Sequence, residues 1–313
     1  MATYKELHGV KVQYRDSDAP STVGDVWYNA STGILKMYAG IGAVASGNNL
    51  NTGRQTGTGA GPQTAGMIIG GDDPNKSAET EQYDGTTWTE VADLNTARGH
   101  LMGDGTQTAG LVFGGNLPPP QTNLSEEFNG TSWTAGNALN TARRKGAGFG
   151  IQTACVAAGG IPSNSDVEEY NGSTWTEVTN MPAARSSFDG AGILTDGIVM
   201  AGGGPNAEAF EYDGTIWTEG GDLNAARFEI AGFGHTTSTA IATGGNDPAP
   251  LGLLVESYNG TAWTEETDLL TSRGGHMAFG ANNAGVTAGG EPTLATTEEW
   301  TLTGASVQTI AFD

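Results

Sequence analysis

One pattern recurs along the 313 residues, and no other feature limits the fold as tightly. Glycine pairs stand at Gly70-Gly71, Gly114-Gly115, Gly159-Gly160, Gly202-Gly203, Gly244-Gly245 and Gly289-Gly290, in steps of 44, 45, 43, 42 and 45 residues. Arginines keep nearly the same step at Arg54, Arg98, Arg143, Arg185, Arg227 and Arg273, and so do tryptophans at Trp88, Trp133, Trp175, Trp217 and Trp263. Self-similarity at a period of about 20 to 50 residues marks a chain of supersecondary units, none of which can cover its own apolar face alone.

Each unit holds an arginine, a Gly/Ala/Thr-rich stretch and an apolar run ending in Gly-Gly. A polar loop, an acidic-aromatic segment, an Asp-Gly or Asn-Gly turn and Trp then follow. That order predicts four short strands. "GMIIGG" at 66–71 predicts a buried strand ended by glycines that permit positive φ, and "ETEQYDGTTWTEV" at 79–91 predicts a hairpin through Asp84-Gly85. Small residues before Gly-Gly suit a strand crowded at an axis, while Trp has room to fill the gap between neighbouring sheets.

Fifty glycines agree with many tight turns, and 37% hydrophobic residues suffice for a core. Thirteen basic against 35 acidic residues leave a net charge of −22, which repels nucleic acid and anionic membrane surfaces. The apolar runs are far shorter than the roughly 20 residues of a membrane helix, and the first residues show no secretion signal. A single cysteine, Cys155, leaves no internal disulfide and no zinc framework, and reads as a small buried residue.

With its Gly-Gly, aromatic and Trp landmarks over about residues 51 to 307, the chain resembles the kelch repeat. The resemblance implies an all-β propeller of four-stranded blades, and kelch-type propellers serve enzymes, scaffolds and adhesins alike. Six units are plain at 51–313, the sixth having Trp300 in place of Tyr or Phe and Val307 in place of Trp. Residues 1–50 form a worn copy, since Val44 precedes Arg54 by ten residues as Trp88 precedes Arg98. Seven blades are favoured, with six plus an N-terminal attachment hairpin as the alternative. Either way the two ends meet to close the ring, because an open edge exposes unpaired backbone groups.

"GDVWYNASTGILKMY" at 24–38 resembles a short hairpin near the start of many tailed-phage virion proteins. This second resemblance implies a phage structural, tail or appendage protein, made in the host cytoplasm and located in the virion. Its N-terminal segment would meet other virion proteins, its loops a host-surface glycan or receptor, and a homo-oligomer is among the expected assemblies.

An enzyme on such a fold needs particular side chains at particular places. Galactose-oxidase-like copper needs converging imidazoles, and His8, His100, His235 and His276 hold no common place in the repeat. The Asp-Gly-x-x-Trp turn resembles the sialidase Asp box with a spacing one residue off, and the chain offers one arginine per unit and few others. A carbohydrate-active enzyme and an intracellular kelch scaffold therefore stay as alternatives to a non-enzymatic protein without cofactor or metal. The repeated arginines face Glu81, Glu126, Glu168, Glu256 and Glu298, with Phe210 as the exception, which predicts structural pairs rather than an anion-binding ring. Recognition is expected where the repeat breaks, in the loops after Gly-Gly. Asn116, Gln121 and Asn123 in "NLPPPQTNLS", and Asn246, Asp247 and Leu251 in "NDPAPLGLLV", are the candidate binding residues, and the apolar "LGLLV" is placed to pack or to bind.

Overall fold

A computed structural model describes residues 13–15, 26–117, 120–162, 165–246, 251–281 and 283–309. The chain divides into two compact units, Val44–Trp300 and the paired segments Met1–Ala43 and Thr301–Asp313.

In the larger unit, each repeat folds as a four-stranded antiparallel sheet. The first comprises Thr58–Ala60, Gly66–Asp73, Asn75–Tyr83 and Trp88–Glu90. Four more follow in the same order, with innermost strands Met102–Thr106, Ala147–Ile151, Asp189–Ile193 and Ala231–Phe233. The sixth begins with Met277–Ala281 and Ala284–Ala288. Each innermost strand packs on the next, and Met277–Ala281 packs on Thr58–Ala60 to shut the circle. The unit is a six-bladed β-propeller.

Six blades replace the favoured seven, and the N-terminal residues explain the difference. Strand Thr297–Thr309 is third in the sixth sheet, and Ile34–Ser46 is hydrogen-bonded beside it as the fourth. Gly47 N–H continues that pairing to the Thr297 carbonyl at 2.9 Å. Val44 thus takes the place of Trp88, but in blade six rather than in a blade of its own, and Val307 does not take it. A strand from the start of the chain covers the edge that the last repeat leaves open.

In the smaller unit, Val26–Asn29 and Ile34–Met37 form an antiparallel hairpin, and Gln13–Arg15 runs parallel to Val26–Asn29. Asn29 Oδ1 accepts the N–H groups of Ser31 at 3.0 Å and Thr32 at 3.1 Å. The blade turns are built the same way: Asp84 Oδ1 accepts from Thr86 and Thr87 at 2.8 and 2.7 Å, while Gly85 carries the positive φ of 89°.

The core lies between blades rather than in one central mass. Trp133 and Phe128 of blade two pack with Ala60, Met67 and Ile69 of blade one, and Trp175 and Tyr170 pack with Met102, Leu111 and Phe113. Trp88, Trp217 and Trp263 do the same at three further junctions. At the junction of blades five and six, Phe233 meets Trp300 edge to face, with ring centroids 6.3 Å apart.

Every repeated arginine is fully or almost fully buried and bound to a glutamate of the blade it introduces. Arg143 Nη2 lies 2.6 Å from Glu168 Oε1, and its Nη1 donates to the carbonyls of Gly159 and Asp166. Glu168 Oε2 in turn accepts the Asn140 backbone and side-chain N–H groups at 2.7 and 2.9 Å, holding the incoming linker. Arg98 in the same way binds the carbonyl of Gly114, which only glycine can fill. Gly114 has φ 63°, and a Cβ there would lie 2.5 Å from the Arg143 carbonyl oxygen. In blade four Phe210 replaces the glutamate and Pro182, without an N–H, replaces the asparagine. Arg185 uses Glu208 at 3.0 Å and stacks 4.3 Å over the Phe210 ring.

A second staple joins each of four blades to its predecessor. The hydroxyls of Tyr83, Tyr170, Tyr212 and Tyr258 donate to Glu299, Glu127, Glu169 and Glu211, the last two at 2.6 and 2.8 Å. The remaining aromatics, Phe128 and Trp300, lack a hydroxyl, and the matching positions in the preceding blades are Gln82 and Ser257.

Candidate functional site

Each linker runs from an outer strand through its arginine to the next inner strand, and the second residue past the arginine reaches the axis. These residues are Thr56, His100, Lys145, Ser187, Glu229 and Gly275, all in the left-handed region at φ 49° to 59°. That conformation costs a residue with a Cβ roughly 1–2 kcal/mol, so five of the six are held there against their preference.

The holding device is a closed ring of backbone hydrogen bonds. Thr56 N–H donates to Gly275 at 2.6 Å, His100 to Thr56 at 2.7 Å and Lys145 to His100 at 3.1 Å. Ser187 then donates to Lys145, Glu229 to Ser187 and Gly275 to Glu229, each at 2.8 Å. The backbone of this position repeats in all six blades, while no two of the side chains are the same.

The ring frames one mouth of a cavity of about 210 Å³ on the propeller axis, whose wall includes all six residues and the inner strands below them. Across the mouth Lys145 Nζ lies 3.0 Å from Glu229 Oε1, both side chains half-buried, and Glu229 Oε2 accepts the Asn246 amide at 2.8 Å. Burial, then the positive charges of Lys145, Lys76 and Arg144 against the opposing Asp72, lowers His100 to about 4. It is therefore a neutral imidazole at physiological pH, with one donor and one acceptor nitrogen.

Two carboxyls line the wall further in. Asp104 Oδ1 and Oδ2 accept the N–H groups of Gly105 and Gly150 at 2.7 and 2.9 Å, and Asp189 accepts those of Gly190 and Gly232 at 2.9 and 2.8 Å. Burial outweighs these bonds and raises both acids to about 7. They join the inner strands of blades two and three, and of four and five. His276, at the position held by Leu101, Phe188 and Ile230 in other blades, is buried and bonds Thr243 through Nε2 at 2.9 Å. Burial and the charges of Arg273 and Arg227 push it well below the usual imidazole range.

The variable loops share the face of the ring, because their first residues bridge to the linkers: Gln55 with Asp72, Gly99 with Asn116, Arg144 with Ile161 and Phe228 with Asn246. Of the loop candidates, Asn246 reaches the mouth through Glu229. Asn116 exchanges backbone bonds with Gly99 at 2.8 and 3.3 Å and bridges to Gln121, and Asn123 Nδ2 binds the Leu139 carbonyl at 2.9 Å. Those three shape the loop and stay outside the cavity wall. Leu251 opens a short 3-10 turn, Leu251–Leu253, and Asp247 lies outside the described residues. Within the "LGLLV" stretch, the Gly252 and Leu253 carbonyls accept the Arg273 and Leu269 N–H groups at 3.0 and 2.8 Å, tying its backbone to the next linker.

The repeated arginines and tryptophans are not part of the cavity wall. Sequence reasoning missed Thr56, Lys145, Ser187 and Glu229, although aligning the linkers on their arginines exposes a position that never repeats.

No protein-family model matches the chain, and no curated protein sequence does. A solved fold does. The structure of YjhT superposes with a TM-score of 0.68 at 14% identity, covering 84% of this chain and 99% of YjhT. At that identity the likeness to YjhT is one of fold.

Proposed function

We propose that this kelch-type propeller is a non-enzymatic recognition module of a phage particle, whose ring-bearing face binds a host-surface glycan or a virion protein. The observation that carries the reading is the loss of repetition at the ring. A position with one backbone geometry in six blades has six different side chains, and it opens on a cavity beside the loops that vary most. Side chains released from a structural task at one mouth are what selective binding requires. The phage assignment rests on the Val26–Met37 hairpin and its resemblance to virion attachment segments.

Electron microscopy of the particle with an antibody to the propeller tests the location, and absence from purified virions would sink it. Recognition is tested by host-cell adsorption of the isolated protein. Ser187→Trp, which fills the mouth, should abolish adsorption that the unaltered protein shows, and undiminished adsorption counts against the site.

A further inference from the structure

A glutamine staples neighbouring blades at the turn between their first and second strands. The ninth residue after the repeated arginine is Gln63, Gln107 and Gln152 in blades one to three. Each reaches back to the preceding blade and donates from Nε2 to two carbonyls: Gly285 and Trp300 at 3.2 and 3.3 Å, Gly66 and Tyr83 at 3.2 and 3.1 Å, Gly110 and Phe128 at 2.9 and 2.8 Å. One amide nitrogen with two N–H donors thus serves a fixed pair of acceptors. Between blades four and five another device does the closing, since Thr237 binds Asp196 Oδ1 through its N–H and its hydroxyl at 3.0 and 2.6 Å.

The junction of blades three and four has neither. Leu194 holds the ninth position there, and no hydrogen bond joins its turn to blade three among the described residues. Its side chain packs instead against the apolar cluster of Phe149, Val156 and Tyr212. A recess of about 370 Å³ opens beside it, with Leu194, Val178, Glu169 and Tyr170 in its wall. Cys155 and Tyr170 hold the places of Gly110 and Phe128 and face each other across the same two strands, as Gly66 and Tyr83 do in blade one. Their carbonyls therefore keep the lone pairs that a carboxamide fills at the other junctions. Glu169, whose Oε1 accepts the Tyr212 hydroxyl at 2.6 Å, is no obstacle. Its counterparts Glu127 and Glu299 stand at junctions that a glutamine fills.

We infer that this recess receives a side-chain carboxamide, that of a glutamine presented by a partner protein, placed as Gln152 is placed one junction earlier. The protein's own junctions define the chemistry: a neutral group with two N–H donors on one nitrogen, on an apolar stem that lies beside Leu194 and Val178. Strand Asp189–Ile193 has Ser187 of the ring before it and Leu194 after it, so the contact is on the face opposite the ring. It stands independently of recognition at the mouth.

The test is a methyl NMR titration of the full chain with N-acetyl-glutamine methylamide, the corresponding lysine and norleucine compounds serving as controls. The glutamine probe should shift the Val178 methyl resonances saturably and bind at least about fivefold more tightly than either control, the worth of two hydrogen bonds. Leu194→Gln, which supplies the carboxamide from the chain itself, should abolish that shift. Gln152→Leu empties the matching place between blades two and three and should create a second site, read from the methyls of the introduced leucine. No saturable shift, equal binding of the norleucine probe, tighter binding of the lysine probe, an unaffected Leu194→Gln variant or a Gln152→Leu variant with one site only overturns the inference.

Discussion

Arg98 and His100 lie two residues apart in one linker and obey opposite rules. Arg98 is an arginine in every blade because its side chain does the structural work, bridging Glu126 and the carbonyls of Gly114 and Leu124 with no exposure to water. The counterparts of His100 are Thr, Lys, Ser, Glu and Gly because there the backbone does that work, through the ring of N–H to carbonyl bonds. Where the side chain bears the fold, the sequence repeats. Where the backbone bears it, the side chain is free to be selected for binding.

The largest effect expected from this contrast follows removal of a repeated arginine. Arg143→Ala leaves Glu168 fully buried without its charge partner, and urea unfolding should show a loss of about 3–5 kcal/mol. Arg185→Ala should cost distinctly less, because its partner Glu208 is 47% exposed and water can replace the guanidinium. Equal losses would break the rule that burial of the pair sets its importance.

A pH series sharpens the comparison at the channel. Asp104 and Asp189 hold their protons up to about 7 in the folded chain and only to about 3.9 when unfolded. The folded state binds the extra protons, so these acids make stability fall as pH rises from about 4 to about 7. Asp104→Asn removes one such group, and its stability relative to the unaltered chain should improve across that window. His100 runs the other way. Its pKa is about 4 folded and about 6.5 unfolded, so the stability it contributes is present above 6.5 and lost as pH falls towards 4. His100→Asn should erase that acid-side loss in thermal melts recorded across the range.

Smaller effects are expected at the tyrosine staples. A double-mutant cycle of Tyr170→Phe and Glu127→Gln should return a coupling of about 1.5–3 kcal/mol, that of one hydrogen bond to a charged group. The same cycle at Phe128 and Gln82, where the staple is missing, should return none, while Phe128→Tyr with Gln82→Glu should create it. Smallest of all, Ser187→Ala should change stability by less than about 0.5 kcal/mol, because its backbone bonds in the ring survive the substitution.

Much of the fold was legible in the chain, for reasons particular residues show. Trp133 and Arg98 recur because every junction repeats one packing problem, and Asp84-Gly85 recurs because a carboxylate oxygen beside a glycine closes the same turn. The pairing of Arg98 with Glu126 was also readable, since both sit at fixed offsets from the same landmarks. The site was less legible. Thr56 and Gly275 are 219 residues apart in numbering yet bonded at 2.6 Å, and no local spacing announces a contact made by ring closure. The tyrosine staples are hidden for the same reason, being offset by one residue and one blade. The loops drew attention because they vary openly, while the ring position varies inside a conserved frame of Arg and Gly.

The sequence by itself determined the unit: four strands, an Asx-type turn, a buried arginine with its glutamate, and a large aromatic for each junction. Each of these is settled by contacts within one repeat or between adjacent repeats, and so is written into every copy. Only the tertiary structure decided that there are six blades, because Val44–Ser46 satisfies the open backbone edge of Thr297–Trp300. It alone decided the functional face as well. Six unlike residues become one mouth only when the circle shuts, since shutting it is what turns their backbones inward and leaves their side chains to the ligand.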